Sequence, residues 1–216
     1  FSGIVGFTIG VLAGVYKGSL FDKIIKIFCL TLQSAPTFWI GLLVLSLFSV
    51  YLGWFPIGFA VPMGKLASEI TIWDRLYHLV LPSLTLSILG ISRVTLFTRQ
   101  KLIEILNSDF ILFAKARGEN TRQIVIRHGL RNIALPAITE QFASFSELFG
   151  GIALAETVFS YPGLGTATTA AGLNGDVPLL LGIAIFSAIF VFVGNFIANI
   201  LYGVLDPRLK EGRYNG

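Results

Sequence analysis

The sequence is poor in the side chains that carry most protein chemistry. Its 216 residues include one cysteine, Cys29, one methionine and two histidines, His78 and His128. A single thiol excludes an intramolecular disulfide and a cysteine metal cluster. Both histidines fall near expected loops, and neither His-Glu-x-x-His nor Gly-x-Ser-x-Gly occurs, so the zinc-protease and serine-hydrolase patterns are missing. The phosphate loop Gly-x-x-x-x-Gly-Lys-Ser/Thr is also missing, which argues against nucleotide hydrolysis within this chain. Charged residues make up only 13% of the sequence against 54% hydrophobic. A water-soluble globule of that balance would expose an apolar patch far larger than soluble proteins carry.

What the chain has instead is long apolar runs. Five stand out: Phe1 to Tyr16, Ile27 to Leu52, about Leu76 to Phe97, about Ile133 to Phe159, and Leu179 to Leu205. Crossing the hydrocarbon takes roughly 20 mostly apolar residues. A segment alone in lipid must satisfy its own backbone hydrogen bonds, so each run is expected to be a helix. The expectation is an all-α polytopic transmembrane bundle, five spans in a single domain over residues 1–216. The first run is short, starts without Met and is followed by no small-residue cleavage site. It reads as a span that begins further upstream, with the N-terminus truncated, and not as a signal peptide. Gln33 and Ser34 ahead of Pro36 predict a break in the second run, and such breaks often line a cavity.

The few charges are placed unevenly. Segments 17–26, 98–132 and the tail after Leu205 hold thirteen of the 16 Lys and Arg, while the other two loops hold only Lys65 and Arg75. Basic residues collect on the cytoplasmic side, so these three segments, the C-terminus included, are expected inside. Arg93, one turn within the third run, can snorkel to the same face. The net charge of +4 therefore reads as a topology signal, not as a nucleic-acid footprint. Two outer loops, Gly53-Trp54-Phe55-Pro56-Ile57-Gly58 and Ser160-Tyr161-Pro162-Gly163-Leu164-Gly165, combine aromatics with turn residues. Interfacial anchoring explains that composition, and so does contact with an external partner.

The inner loop of about 35 residues between the third and fourth runs is long for an idle connection. Asn107-Ser108-Asp109 offers N-cap chemistry, with Asp109 best placed to accept from the first free amides. A helix is predicted from Phe110, with Phe110, Phe113, Ala114 and Arg117 along one side and Gly118 stopping it in a C-cap position. Asn120-Thr121 can cap a second short helix, with Ile124, Val125 and Leu130 opposed by Arg122, Arg127 and Arg131. That helix is expected to end by Pro136, which begins the next span. Small residues at the junction, Ala114, Ala116 and Gly118, would let a partner's surface come close. The same pattern fits an amphipathic hairpin lying on the anionic inner leaflet.

The order of these residues resembles a known family. Phe113-Ala114-Lys115-Ala116-Arg117-Gly118, followed by Arg127-His128-Gly129-Leu130-Arg131-Asn132-Ile133-Ala134-Leu135-Pro136, is similar to the coupling-loop signature of ABC importer permeases. The spacing is the longer one of the peptide/nickel branch, and Leu112 and Phe113 stand where the general signature has Glu and the first Ala. Ser34-Ala35-Pro36-Thr37-Phe38-Trp39, Gly53-Trp54-Phe55-Pro56-Ile57-Gly58, Glu156-Thr157-Val158-Phe159-Ser160-Tyr161-Pro162-Gly163-Leu164-Gly165 and Leu205-Asp206-Pro207-Arg208 match as well, so the resemblance covers most of the chain.

The resemblance implies a type I importer permease fold of about six spans in the full subunit. It implies an ATPase-coupling loop over 99–132, with Phe110, Phe113, Ala114, Ala116, Arg117, Gly118, Leu135 and Pro136 as its marked residues. It also implies an outer-loop signature of Glu156, Tyr161, Pro162, Gly163 and Gly165. The implied partners are a second permease subunit, two ATP-binding subunits and an extracytoplasmic substrate-binding protein, at the inner membrane of a prokaryote. ATP and Mg would be bound by the partner ATPases, and no cofactor or metal by this chain. The implied cargo is peptide, with nickel or a metal chelate as the alternative. A secondary transporter would show inverted repeats or paired interrupted helices, and the sequence has neither.

Ionisable residues at membrane depth are costly and are candidates for function. Glu140 and Glu147 lie nearly two turns apart in the fourth run, with Ser144 between them on the same stripe. They depart from the family's usual apolar or small residues. They either hydrogen-bond to a partner permease or flank a wet cavity without selecting anything, or they make a weakly acidic path for a peptide amino terminus or a complexed cation. Asn195 and Asn199, at i and i+4 in the last run, suit helix–helix hydrogen bonds and are further candidates for the translocation path.

Overall fold

The computed structural model describes residues 1–143 and 145–205, the side chains of Ala67, Arg131, Ala143, 145–150 and 201–205 not being among them. Every regular element among the described residues is helical: α1 (Ser2–Val15), α2 (Leu20–Ser34), α3 (Thr37–Leu45), α4 (Ile72–Leu106), α5 (Asp109–Ala116), α6 (Thr121–Ile124), α7 (Leu130–Ala143), α8 (Phe145–Val158), α9 (Leu164–Asn174) and α10 (Val177–Leu205). Wider turns extend α3 through Ser46–Tyr51 and join α6 to α7 through Val125–Gly129.

The chain divides into two compact units, each discontinuous in sequence. One takes its described residues from Phe1–Gln33, Gly90–Ser144 and Phe192–Gly216, and the other is built from Ser34–Leu89 and Phe145–Val191. In the first unit, glycines four residues apart let α1 lie directly on α4. A methyl group at Gly6 would sit 2.9 Å from the carbonyl oxygen of Ile91, and one at Gly10 would sit 2.7 Å from that of Thr95. The Thr95 hydroxyl donates to Gly6 O at 3.2 Å across the same seam. Small residues at this spacing allow helix backbones to approach closely. In the second unit α3 packs on α8, and α8 on α9. Gly41 faces Val158 and Thr85, and Gly151 faces Leu86 and Thr37.

The apolar runs and the helices do not coincide. α4 begins at Ile72, where Thr71 and Asp74 cap each other: Asp74 N–H donates to Thr71 Oγ1 at 3.2 Å and Thr71 N–H to Asp74 Oδ2 at 2.9 Å. It then runs past Phe97 to Leu106, so the first part of the expected inner loop is still helix. The fourth run becomes α7 and α8, and Pro136 lies inside α7, not at the head of a span. Interrupted or proline-containing helices are tolerated where neighbouring groups satisfy the freed backbone. The second run breaks before Pro36, as expected. By length and composition, two described helices can cross a membrane, Ile72–Leu106 and Val177–Ile200, or three if α2 and α3 form one broken span. That is fewer than the five runs suggest, because hydropathy does not register where a helix stops. α1, α7 and α8 have 14 residues each, or about 21 Å of helix against about 30 Å of hydrocarbon.

Candidate functional site

The hairpin of α5 and α6 is built by local rules. Ser108 is the N-cap position of α5 but its side chain makes no cap bond, its hydroxyl donating instead to Ile105 O at 2.5 Å; Asp109 is the first helical residue rather than the cap. At the other end Gly118 adopts φ +87°. Gly118 N–H donates to Lys115 O at 2.9 Å and Glu119 N–H to Ala114 O at 3.2 Å, the paired bonds of a Schellman termination. Asn120 caps α6 in a capping box: Gln123 N–H donates to Asn120 Oδ1 at 2.9 Å, and Asn120 N–H to Gln123 Oε1 at 3.0 Å.

The two helices close on an apolar core of Ile111, Ala114 and Ile124, with Ile105 and Leu106 of α4 packed against it. This corrects the expected role of Ala114. It is 1% exposed, so its small size serves the contact between α5 and α6 and not a partner's approach. Phe113, its neighbour, is 72% exposed, and Phe110 and Leu112 are about half exposed. Ala116, Arg117 and Gly118 are exposed as well. Glu119 ties the corner: its Oε2 lies 3.1 Å from His128 Nε2 and its Oε1 3.6 Å from Arg117 Nη2. The ring of Phe110 meets that of His128 edge-on at 6.4 Å. The arrangement presents an exposed apolar tip with a cationic rim. The second predicted helix does not end at Pro136; it runs from Thr121 through the wide turn into α7, which carries Leu135 and Pro136.

Two contacts of α4, the helix that leads into the hairpin, are not evident from the sequence. Leu102 is fully buried between Gly14 and Gly129, where added methyl groups would lie 2.9 Å and 3.0 Å from its two Cδ atoms. Three residues earlier, Arg99 forms a two-pronged ion pair with Asp22, Nη2 donating to Oδ2 at 2.9 Å and Nε to Oδ1 at 2.5 Å. Gly18 N–H donates to the same carboxylate at 2.8 Å. The signal for the pair was Asp22, the lone acid of a basic segment. For Leu102 it was the four-residue glycine spacing in α1.

In the second unit, the outer-loop signature folds on itself. Glu156, 7% exposed, accepts Thr166 N–H at 2.7 Å through Oε2, and a carboxylate is favourable at this first turn of α9. Gly163 leaves the room: a methyl group there would be 2.0 Å from Glu156 Oε1. At Gly165 it would be 2.5 Å from Ala153 Cα. Tyr161 N–H donates to Glu156 O at 2.8 Å, while Pro162 is exposed. The other outer loop is stitched to this one. Phe59 N–H donates to Phe159 O at 2.9 Å, and His78 Nδ1 donates to Gly58 O and Phe59 O at 2.9 and 3.1 Å. Both partners are carbonyls, so Nδ1 carries the proton. The sequence presents these as separate aromatic loops; the hydrogen bonds make them one structure.

The polar candidates are less well defined. Glu140 is half-buried on α7, and Asn195 and Asn199 are exposed on α10. Ser144 and the side chain of Glu147 lie outside the described residues, so the expected stripe is represented by Glu140 alone. The Leu205-Asp206-Pro207-Arg208 match lies outside them after Leu205. Among the described residues no cluster of His, Cys, Asp or Glu is arranged to hold a metal.

Comparison with known proteins gives a consistent result. The family profile described as "Binding-protein-dependent transport system inner membrane component" matches residues 6–211. The oligopeptide transport system permease protein AppB of Bacillus subtilis (strain 168) is 38% identical over 81% of this chain and 54% of its own length. The di/tripeptide transport system permease protein DppB of Pseudomonas aeruginosa (strain UCBPP-PA14) is 33% identical over 99% of this chain and 68% of its own. The dipeptide transport system permease protein DppB of Escherichia coli (strain K12) is 32% identical over 98% and 68%. The chain thus spans between 54% and 68% of the length of these relatives. Among solved structures, inward-facing MetNI methionine ABC transporter superposes with a TM-score of 0.61 at 18% identity, over 95% of this chain and 89% of that one. The fold is shared.

Proposed function

The chain belongs to the family of binding-protein-dependent transport system inner membrane components, and from that premise we propose that it is the permease subunit of an ATP-driven peptide importer. The observation that carries the reading is the agreement among relatives: the three compared above are all peptide permeases by name. Import of nickel or a metal chelate is not favoured by them. In this reading the chain forms half of the translocation path and a second permease subunit the other half. Two ATPases bind ATP and Mg and hydrolyse ATP, a binding protein delivers cargo from outside, and the C-terminus is cytoplasmic. This chain catalyses no reaction itself.

The hairpin supports docking on an ATPase over rest on a lipid surface. A lipid-surface hairpin turns its whole apolar stripe outward, whereas Ile111, Ala114, Ile124 and Val125 are buried within the chain. What remains exposed is Phe110, Leu112 and Phe113 at the tip, with Ile126 in the wide turn, a small apolar surface suited to a concave socket. Leu135 and Pro136 continue the same helical run toward the membrane-embedded part.

The test is reconstitution of the intact transporter in proteoliposomes. Di- and tripeptides with the binding protein are expected to stimulate ATP hydrolysis, and Ni²⁺ is not; stimulation by Ni²⁺ alone would overturn the peptide assignment. A second prediction concerns Gly118. An added methyl group there meets nothing within 4 Å, so its cost is backbone strain, about 1–2 kcal/mol for a left-handed non-glycine residue. Gly118→Trp is therefore expected to insert and assemble but to lose uptake, because its bulk projects from the docking tip. Gly118→Asn should retain uptake, since Asn tolerates that conformation. Equal uptake by Gly118→Trp and wild type would count against docking at this surface.

A further inference from the structure

A hairpin that receives motion has to hand it on through contacts stiff enough not to absorb it. Among the described contacts of the first unit, α7 meets the start of α1, where Ser2 Oγ donates to Gln141 Oε1 at 3.3 Å, and the end of α1 meets the hairpin through one side chain of α4. Leu102 has no exposed surface and sits between two glycines on different elements. Its Cδ1 lies against Gly129 in the wide turn after α6, and its Cδ2 against Gly14 in the last turn of α1. Methyl groups at these glycines would be 3.0 Å and 2.9 Å away, closer than side chains pack, so neither contact has slack to take up. From Gly14 the fit continues along α1, with Gly10 against Thr95 and Thr98 and Gly6 against Ile91 and Val94. Close-packed interiors transmit displacement in this way.

We propose that Leu102 is a positioning residue for transport: the bolt that carries movement of the inner hairpin at Gly129 into α1 at Gly14. The Asp22–Arg99 pair, on the same stretch of α4, holds the start of α2 to the moving body. The proposal rests on the reading above that the hairpin takes motion from an ATPase. It adds which residue passes that motion on and which helix receives it.

Leu102→Ala opens space on both sides of the side chain at once, whereas Leu102→Met keeps its volume. In the reconstituted transporter, Leu102→Ala is expected to keep its ATPase activity while peptide taken up per ATP hydrolysed falls about tenfold or more. Leu102→Met should behave as wild type. Hydrogen–deuterium exchange on ATP binding supplies the readout that a purely structural role would not move. In wild type, both the hairpin segment 109–129 and the α1 segment 2–15 should change exchange. In Leu102→Ala the hairpin should respond as in wild type while the response of the α1 segment shrinks. If Leu102→Ala does not assemble, Leu102→Val provides the same test with a smaller loss. An undiminished α1 response in the truncated variant, or uptake and ATPase activity falling in equal proportion, overturns the proposal. A wild-type hairpin that does not respond to ATP overturns instead the reading on which it rests.

Discussion

Replacing Gly165 by alanine is expected to dislodge α9 from α8, whereas the same replacement at Gly172, in the same helix, is expected to be harmless or stabilising. The new methyl group at 165 would lie 2.5 Å from Ala153 Cα and 2.7 Å from Ala153 N. Both are backbone atoms, which cannot swing aside. At Gly172 it would meet nothing within 4 Å. Overpacking of this kind costs about 1–3 kcal/mol, while relief of glycine's conformational freedom inside a helix contributes about 0.5–1 kcal/mol. The two variants should therefore melt on opposite sides of wild type, or Gly172→Ala at wild type, when the detergent-solubilised protein is heated. Indistinguishable melting of all three would mean that α8 and α9 do not touch at Ala153. Gly163→Ala is expected to be milder, because its clash is with the end of the Glu156 side chain, which can rotate at the expense of its bond to Thr166.

Loss of the Asp22 carboxylate is expected to be the most damaging single change in the first unit. Asp22 and Arg99 have side chains 4% and 14% exposed, so Asp22→Ala leaves a guanidinium buried without its counter-charge, at a cost of about 3–5 kcal/mol. It also frees Gly18 N–H, which Asp22 accepts at 2.8 Å. Adding Arg99→Leu to Asp22→Ala should recover much of the stability, because a well-packed apolar side chain can replace a buried pair at little cost. The measurement is a double-mutant comparison of thermal stability in detergent. Additive losses from Asp22→Ala and Arg99→Leu would show that the two side chains do not act as a pair.

The contrast between these two sites shows how much could be read from the sequence. The all-helical class followed from the apolar runs, and the turn chemistry of the hairpin was legible at Gly118 and Asn120, though not at Asp109. Gly118 ends α5 and the Asn120–Gln123 box starts α6, because caps depend on neighbours within a few positions. The family's motifs were legible as ordered strings for the same reason. Helix length was not: α4 runs on to Leu106 and α7 passes through Pro136, since packing against neighbours, not local preference, decides where a membrane helix stops.

The sequence by itself determined that this is a membrane-embedded helical protein with one long patterned loop and two aromatic loops, because composition and short-range spacing are local quantities. Only the tertiary structure decided which way side chains face. Ala114 turned inward and Phe113 outward, although they are adjacent, since one of them had to fill the space beside Ile111 and Ile124. It likewise joined residues far apart in the chain: Asp22 with Arg99, Gly14 with Leu102 and Gly129, and Phe59 with Phe159. Local pattern marks one member of some of these pairs, such as Asp22 or Gly14, but not the partner it meets. The pairings arise when the chain closes on itself and each buried charge, carbonyl and cavity has to be met by something.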